Sequence, residues 1–449
     1  MYRAISCLVL VSAVLVGCGS SGPQPARSVI FVTIDTLRAD VLEIYGGPAR
    51  VPALRELAER GWVWESCFST SMLTTPSHVS LMTSLYPRDH GVYNNRTGVA
   101  DGVMTLAQVF RAAGFRTGAV PSFRHLTPES SNLGHGFEHF AELTAPSRTG
   151  KAATKRALAW LDQVSKGERF FLWVHYVEPH WPYRADPVGD LKDWPAVQAK
   201  PMRDAKAAAP RSKLMDPAFQ RTAKAYATTE PVLRRYIGEV ERVDGYLQDL
   251  RNGVRARGLE GGTLWVVTSD HGENLGEHEL YFHHGGLYDA TTRVPLIMAG
   301  PGLRPQRPTG LTSSVDVAPT ILSLSGVDPW SPMSGRSLVT EEGEAALART
   351  YVYSEHERAV QVAVRSEDGT FILDRKTYKK FPTLKMVEGR WELYERREDP
   401  GEIHPIVDGD RAAKLRSVVE TFLDEGQQLT PRPATSVDEE ALRALGYVE

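Results

Sequence analysis

Hydrophobic and polar positions along the chain follow two different periods. Short and almost wholly apolar runs are typical of strands buried on both faces of a sheet, and they occur at 28–35 (SVIFVTID), at 169–177 (RFFLWVHYV), and in TLWVVTSD and RVPLIMAG. Between them lie segments with helical spacing, such as VPALRELAERG, MTLAQVFRAAGF, TKRALAWLDQV and the stretch from 230 to about 257. Strands that alternate with helices predict an α/β fold with a mostly parallel central sheet flanked by helices.

The pattern changes after about residue 345. RTYVYSEH, AVQVAVRSEDGTFILDR and RWELYE predict strands, with a hairpin turn at Asp368-Gly369. A helix is predicted at about 411–426. We therefore expect 345–449 to form a C-terminal subdomain that contains a small antiparallel sheet and one helix.

The preceding catalytic domain is expected to span 28–344. Within it, residues 184–229 are rich in Pro, Ala and charged side chains and show no clear period. Long segments without a period inside a compact domain are often functional loops. We predict that 184–229 is an insertion or lid over the open edge of the sheet.

The first residues have the pattern of a targeting segment. MYRAISCLVLVSAVLVGC has one basic residue near its start and a short apolar run, as in a signal peptide, and the run is shorter than the roughly 20 residues that a spanning helix needs. Cys18 follows Leu-Val-Gly, which resembles the bacterial lipobox, where the cysteine becomes the lipidated first residue. The alternative is an ordinary secretory peptide with an incidental cysteine. We predict a lipoprotein signal peptide over 1–17 and a flexible tether over 18–27.

This leader predicts that the protein lies in the bacterial cell envelope. It would be anchored to the membrane by an N-terminal lipid and would face the periplasm or the exterior. The net charge of −3 over 449 residues gives no indication of a nucleic-acid partner. Cys7 leaves with the signal peptide and Cys18 would carry lipid, so Cys67 is left without a disulfide partner. We expect Cys67 to be a buried apolar side chain.

Polar side chains lie where the predicted strands end. Asp35 ends the first strand, Asp270 and His271 end TLWVVTSDHG, His180 follows FFLWVHYVEP, and His284 precedes RVPLI. Ligand sites of open α/β sheets lie beyond the carboxyl ends of the strands. Two carboxylates and an imidazole can hold a divalent ion and leave room for a substrate oxygen.

The stretch MLTTPSHVSLMTSLYP predicts a helix with Thr75 as N-cap, Pro76 as first helical residue and Thr74 as last residue of the approach. Thr74 is then either a turn residue or a nucleophile. A hydroxyl at a helix N-terminus lies near free N–H groups and the positive end of the dipole, which suit a tetrahedral anion. Such a hydroxyl beside a metal could attack phosphorus or sulfur while histidines protonate the leaving group.

Several motifs occur in the order known from one family: VTIDTLRAD, TTPSHVSLMTSLYPRDHGV, FFLWVHYVEPHWPY, VTSDHGENLGEH, HHGGLYDATTRVPLI, SVDVAPTIL and ELYERREDPGE. They cover roughly 28–405 and resemble the sulfatase family of the alkaline-phosphatase superfamily. The resemblance implies a large mixed sheet flanked by helices, a small C-terminal sheet and a metal-centred ester-cleaving site. It further implies that Asp35, Asp270 and His271 are metal ligands, and that Thr74 is a nucleophile that also touches the metal.

The same resemblance implies roles for three histidines. His180 matches a histidine that binds the substrate anion or protonates the leaving group. His284 lies where the family often has an anion-binding Lys, and His78 takes the position of Arg in the signature Cys-x-Pro-Ser-Arg.

Two departures from the family pattern change the expected chemistry. Thr74 replaces the Cys or Ser that sulfatases oxidise to formylglycine, so no formylglycine is expected here. Thr36 replaces the second Asp of the usual metal pair. With His271 as a ligand, this favours Mn²⁺ or Zn²⁺ over a hard calcium cage, and binding of Ca²⁺ or Mg²⁺ stays open. The segment EPHWPYRAD lacks the Asp-x-x-x-His spacing of two-zinc relatives, so one divalent ion is expected.

We therefore predict a metal-dependent ester hydrolase with a threonine nucleophile that favours phosphoester, phosphodiester or phosphonate substrates over sulfate esters. The substrate would be an anionic ester, with a glycan or a lipid head group as possible carriers. Two alternatives stay open: a transferase that moves a phosphoryl-linked group to a glycan or lipid, and a catalytically inactive sulfatase-like binding lipoprotein.

Overall fold

A computed structural model of the chain describes residues 24–142, 149–194, 197–340, 343–345, 348–379 and 384–433. The predicted signal peptide and Cys18 lie outside these residues. In chain order the described strands are β1 (Ser28–Ile34), β2 (Trp62–Phe68), β3 (Thr97–Gly98), β4 (Arg116–Val120), β5 (His139–Phe140), β6 (Phe170–Tyr176), β7 (Thr263–Ser269), β8 (Asn274–Leu275), β9 (Tyr281–His283), β10 (Arg293–Ala299), β11 (Leu311–Ser313), β12 (Val352–Glu355), β13 (Gln361–Arg365), β14 (Gly369–Asp374), β15 (Trp391–Glu395) and β16 (Arg432–Pro433).

The helices lie between these strands, and among the described residues each is too short or too polar to cross a membrane. They are α1 (Pro52–Ala58), α2 (Thr74–Thr83), α3 (Pro87–His90), α4 (Leu106–Ala112), α5 (Pro128–Ser131), α6 (Gly150–Leu161), α7 (Met202–Ala208), α8 (Arg211–Met215), α9 (Pro217–Ala225), α10 (Glu230–Ala256), α11 (Asp289–Thr292), α12 (Val317–Leu324) and α13 (Gly409–Asp424).

The central sheet has eight strands in the order β11-β2-β10-β7-β1-β6-β4-β5. All neighbouring pairs are parallel except those of β10, which runs antiparallel to both β7 and β2. A second, antiparallel sheet has the order β12-β13-β14-β15, and α13 packs against it. The α/β fold with a mixed, mostly parallel sheet and a small C-terminal sheet is therefore confirmed.

Both faces of the central sheet are covered, which explains why its strands are almost wholly apolar. On β1, Ile30, Val32 and Ile34 pack into the core that contains side chains of α1, α6 and α10. Val29 and Phe31 point the other way, into the core formed with α2, α4 and α12. Successive side chains of a strand alternate between its faces, so a strand between two helical layers must be apolar at every position.

The start of α2 differs from the sequence prediction. The helix begins at Thr74, with Leu73 as an N-cap that makes no side-chain capping bond, so Thr75 and Pro76 lie inside the first turn. The Thr75 N–H donates instead to Oδ1 of Asn95, at 2.8 Å. Because a side chain from a distant loop satisfies this N–H, the local cap that the sequence suggested is not needed.

Residues 184–229 contain the short helices α7, α8 and α9 and form the segment that we call the insertion. Its buried side chains include Met202, Ala205 and Phe219, which belong to the same core as α1, α6 and α10. The insertion is therefore packed onto the domain. At the N-terminal side, Ala26 is buried and its N–H donates to the carbonyl of Leu324 at 2.8 Å, so the chain is already packed onto the domain at Ala26.

Candidate active site

The two carboxylates predicted as metal ligands follow adjacent parallel strands. Asp35 comes directly after β1 and Asp270 directly after β7, and β1 pairs with β7 over its whole length. The hydroxyl of Ser269 lies within hydrogen-bond distance of the carbonyls of Ile34 (2.6 Å) and His271 (2.7 Å) and can donate its one hydrogen to either, which ties the two strand ends together. The register of the sheet thus brings the side chains of Asp35 and Asp270 to the same point.

Asp35, Asp270 and His271 form a compact, fully buried group. One ligand atom from each of the three lies within 4.8 Å of the other two. Nε2 of His271 is 3.5 Å from Oδ2 of Asp270 and 3.9 Å from Oδ1 of Asp35. The structure therefore brings together the residues that the sequence proposed as metal ligands.

The chemistry of this group fits a divalent cation. Among the described residues, both carboxylate oxygens of Asp35 and Oδ2 of Asp270 are buried without a hydrogen-bond donor. Nδ1 of His271 lies 2.9 Å from the carbonyl of Gly272 and donates its hydrogen there. Nε2 then presents its lone pair to the carboxylates, the usual arrangement of a metal-binding histidine.

Burial disfavours the charged forms of all three groups. It raises the pKa of Asp35 well above its ordinary range, with the neighbouring charge of Asp270 adding to the effect, and it also raises the pKa of Asp270. It lowers the pKa of His271 to about 4. A bound cation would reverse this balance, because it stabilises two carboxylates and a neutral imidazole.

The turn after Asp35 is held in a strained conformation. Thr36 has φ of 56°, in the left-handed region that a β-branched residue rarely adopts. Its N–H lies 3.2 Å from Oδ1 of Asp270, and its carbonyl accepts a hydrogen bond from the hydroxyl of Tyr236 on α10 at 2.7 Å. Such strain costs about 1–3 kcal/mol and persists where the surroundings fix it, so α10 and Asp270 together fix the direction of Asp35.

Thr74, the first residue of α2, faces this group. Its Oγ1 is 3.4 Å from Nε2 of His271, and its side chain is fully buried. At the N-terminus of a ten-residue helix, the hydroxyl lies near the positive end of the helix dipole. Thr74 is therefore next to the candidate ligands and in a position that favours negative charge on its oxygen.

His78 lies one turn further along α2 and contacts Thr74 rather than the centre of the site. Its Nδ1 donates to the Thr74 carbonyl at 2.8 Å, and Oγ1 of Thr33 donates to its Nε2 at 3.0 Å. Trp173 in turn donates its Nε1–H to the Thr33 hydroxyl at 3.0 Å. Nδ1 of His78 is also 3.6 Å from Oδ2 of Asp270. Burial lowers the pKa of His78, which favours this neutral, hydrogen-bonded form.

His180 and His284 lie next to His271, the third candidate ligand. The ring of His284 is 4.6 Å from that of His271 and 5.8 Å from that of His180, measured between ring centres. Nδ1 of His180 donates to the carbonyl of Trp181 at 2.6 Å. Burial lowers the pKa of His180, and the charge of Glu273 opposes that shift. The structure thus places both histidines beside the candidate metal ligands, as the sequence predicted.

Three buried residues near the site were not predicted from the sequence. Nε2 of His175, near the carboxyl end of β6, is 3.8 Å from Oδ2 of Asp35, and Oε1 of Glu273 is 3.8 Å from Nδ1 of His284. Lys213 of α8 is buried close to both His180 and Glu273. His175 could have been found as the polar residue inside an apolar strand, whereas no pattern in the insertion indicated Lys213.

Family models match most of the chain. A model described as "Sulfatase" matches residues 27–327, and one described as "N-sulphoglucosamine sulphohydrolase, C-terminal" matches residues 276–428. The chain is 25% identical over 441 residues to "Uncharacterized sulfatase YidJ" of Escherichia coli strain K12, which covers 86% of this chain and 84% of that protein.

Solved structures show the same fold. A structure in complex with its substrate D-glucosamine-2-N,6-O-disulfate has a TM-score of 0.72 and 18% identity, and the match covers 89% of this chain and 97% of that chain. A phosphonate monoester hydrolase from Silicibacter pomeroyi has a TM-score of 0.69 and 20% identity, with coverage of 89% and 95%. At such low identity these likenesses establish the fold alone.

Proposed function

Since this chain belongs to the sulfatase family, we propose that it is a metal-dependent hydrolase that uses Thr74 as nucleophile and prefers esters of phosphorus to sulfate esters. The observation that carries the proposal is the position of Oγ1 of Thr74, 3.4 Å from Nε2 of His271 at a helix N-terminus. A turn residue would need neither complete burial nor a neighbouring group of metal ligands.

A single divalent ion held by Asp35, Asp270 and His271 would supply Lewis-acid charge next to Thr74 and the ester oxygens. Thr74 gives up its hydroxyl proton to solvent, and its Oγ1 bonds to phosphorus as the bond from phosphorus to the leaving oxygen breaks. His180, whose Nδ1–H donates to the Trp181 carbonyl, takes up a proton from solvent at Nε2 and passes it to the leaving oxygen. Water then cleaves the phosphothreonine and restores the hydroxyl.

The other two predicted site residues take different positions in this scheme. His284 lies between His271 and His180, where its ring can hold an oxygen of the ester. His78 has both ring nitrogens engaged by Thr74 and Thr33, so it fixes the backbone and direction of Thr74 and does not contact the substrate.

Two observations support phosphorus over sulfur. Oxidation of a threonine side chain would give a ketone rather than the aldehyde that sulfatases use, so Thr74 acts as a hydroxyl. A phosphonate monoester hydrolase is among the proteins with the same fold. Another structural neighbour binds a sulfated substrate, so activity on phosphorus esters must be compared with activity on sulfate esters. Glycans and lipid head groups that carry the ester group are the substrates to be tested.

The N-terminal sequence supports a further part of the proposal. Cys18 after Leu-Val-Gly indicates a lipid anchor, which would hold the hydrolase at the bacterial cell envelope, facing the periplasm or exterior.

The test is a panel of aryl phosphate, phosphodiester, phosphonate and sulfate esters with the protein loaded in turn with Mn²⁺, Zn²⁺, Ca²⁺ and Mg²⁺. Thr74→Ala should lower turnover by several orders of magnitude, as loss of a nucleophile does, while Thr74→Ser keeps measurable activity. Thr75→Ala is the matched control, because it removes the neighbouring hydroxyl, which lies 3.4 Å from the His125 carbonyl.

Mass spectrometry of a trapped intermediate should find a phosphoryl group on the peptide that contains Thr74. Sulfatase activity that exceeds phosphoesterase activity and survives Thr74→Ala would refute the proposal. Turnover that requires a glycan or lipid acceptor would indicate the transferase instead, and stoichiometric metal without turnover of any ester would indicate a binding protein.

A further inference from the structure

The insertion brings one lysine into the interior of the protein. Lys213 of α8 has an exposed fraction of 3%, whereas every other lysine of the described residues is exposed. A buried ammonium loses its hydration, so lysines are almost never buried without a compensating partner. The burial of Lys213 therefore needs a physical reason.

The contacts of Lys213 only partly compensate its charge. Its Nζ donates to the carbonyl of Phe282 at 2.5 Å and lies 4.1 Å from the ring centre of Trp181. Within the described part of the chain, neither Glu273 nor Asp216 approaches Nζ closely enough for an ion pair, although both carboxylates stabilise its charge from further away. At least one of the three ammonium donors is thus left for another acceptor.

The ammonium remains charged under ordinary conditions. Burial lowers the pKa of Lys213 to about 8, and the charges of Glu273 and Asp216 limit the shift. A carbonyl oxygen and an aromatic face are weak partners for a full positive charge in a site from which water is excluded. A negatively charged ligand would be a stronger one.

The neighbours of Lys213 connect it to the candidate active site. Trp181 directly follows His180, and Phe282 precedes His284 by two residues. The rings of Trp181 and Phe282 are stacked, with centres 5.4 Å apart. Lys213 also acts electrostatically on His180 and on Glu273. The ammonium therefore lies close to His180 and Glu273, at the edge of the candidate active site.

We propose that Lys213 is a substrate-binding residue, carried to the active site by the insertion, and that its ammonium pairs with the second negative charge of a phosphate monoester. This inference rests on the proposed phosphoesterase function and names its preferred substrate class. A monoester has two negative charges and a diester one, so a cation beyond the metal ion favours the monoester. The insertion thus contributes a specificity-determining charge.

The experiment compares the full chain, loaded with Mn²⁺, with its K213M, K213Q and K213R variants on 4-nitrophenyl phosphate, a monoester, and on methyl 4-nitrophenyl phosphate, a diester. K213M and K213Q should lower kcat/KM for the monoester by about 10- to 100-fold, the value of a charge-assisted hydrogen bond, mainly through KM. The kcat/KM for the diester should change by less than about threefold. K213R should restore part of the loss for the monoester. K224M, which removes an exposed lysine of α9, should match the wild type.

A binding measurement decides the inference without turnover. Calorimetry with inorganic phosphate should show affinity at least about tenfold weaker for K213M or K213Q than for K224M. Equal losses for the two esters, or equal phosphate affinity of all variants, would overturn the role of Lys213. A wild type that hydrolyses neither ester would refute the proposed function alone, since the phosphate measurement would still test Lys213.

Discussion

At the scale of single residues, the candidate site is made of charged and polar side chains that the protein interior does not by itself compensate. The oxygens of Asp35 lack donors among the described residues, and Thr36 is strained. Burial of ionisable groups without partners costs several kcal/mol. Such groups persist where a ligand completes them, so their effects are best tested one residue at a time.

Asp270→Ala should abolish both metal binding and activity. The variant removes one of three ligand side chains, and Asp35 and His271 alone provide too few donors for a tight site. Metal analysis of the purified protein should fall from one equivalent to background. Asp244→Ala is the control: this buried carboxylate accepts hydrogen bonds from the N–H groups of Ala53 and Leu54, and its loss should leave metal content unchanged. Stoichiometric metal in Asp270→Ala would show that the ligand assignment is wrong.

Glu355→Gln should change how stability depends on pH. Burial raises the pKa of Glu355 from its ordinary 4.5 to about 7, so between these values the folded protein holds a proton that the unfolded chain releases. The free energy of unfolding of the wild type therefore falls as pH rises through this window. The glutamine variant lacks this loss. Between pH 4.5 and 8 its free energy of unfolding should therefore rise by about 3 kcal/mol relative to that of the wild type.

Denaturant unfolding of both proteins at several pH values measures this difference. The free energy of unfolding of Glu398→Gln, which changes an exposed carboxylate, should depend on pH in the same way as that of the wild type. If the free energies of unfolding of Glu355→Gln and wild type differ by the same amount at every pH, the pKa of Glu355 is not raised.

At the scale of elements, two glycines show how helix packing constrains the fold. A Cβ added to Gly118 of β4 would lie 2.6 Å from the ring of Trp160 on α6, whereas one added to Gly245 of α10 would meet nothing within 4 Å. Gly118 is thus a point of close contact between β4 and α6, while Gly245 is in an exposed part of a helix.

Alanine at these two glycines should have opposite effects. Gly118→Ala should destabilise the protein by about 1–3 kcal/mol through overpacking, and Gly245→Ala should stabilise it by about 0.5–1 kcal/mol through helix propensity. Urea unfolding of the two variants measures both. A neutral Gly118→Ala would mean that the contact between α6 and β4 is not as close as described, and a destabilising Gly245→Ala would mean that this position of α10 is not open.

At the scale of the whole molecule, the N-terminal sequence predicts that a lipid on Cys18 anchors the catalytic domain to the membrane. Cys18→Ser should abolish lipidation and move the protein from the membrane to the soluble fraction. The domain should stay folded and active, because the predicted tether over 18–27 separates Cys18 from β1. Cys7→Ser, inside the predicted signal peptide, should keep the protein at the membrane. Unchanged fractionation of Cys18→Ser would exclude the lipid anchor.

The sequence by itself determined the fold class and proposed most of the residues of the candidate site. Runs buried on both faces and helical spacings are local patterns, so they predicted the strands, the helices and the small C-terminal sheet. The placement of Asp35 and Asp270 after β1 and β7 was predictable because parallel strands end at one edge of the sheet. The motifs that resemble sulfatases then indicated Thr74, His180 and His284.

The tertiary structure alone decided which distant side chains complete the site. The start of α2 depends on Asn95, which replaces a local cap at Thr75, and no pattern near Thr75 encodes that contact. Glu273 and Lys213 acquire their positions from the loop after β7 and from the folded insertion. Periodicity along a chain records which face of an element is buried. It does not record which elements meet, because that depends on register, crossovers and packing between segments far apart in sequence.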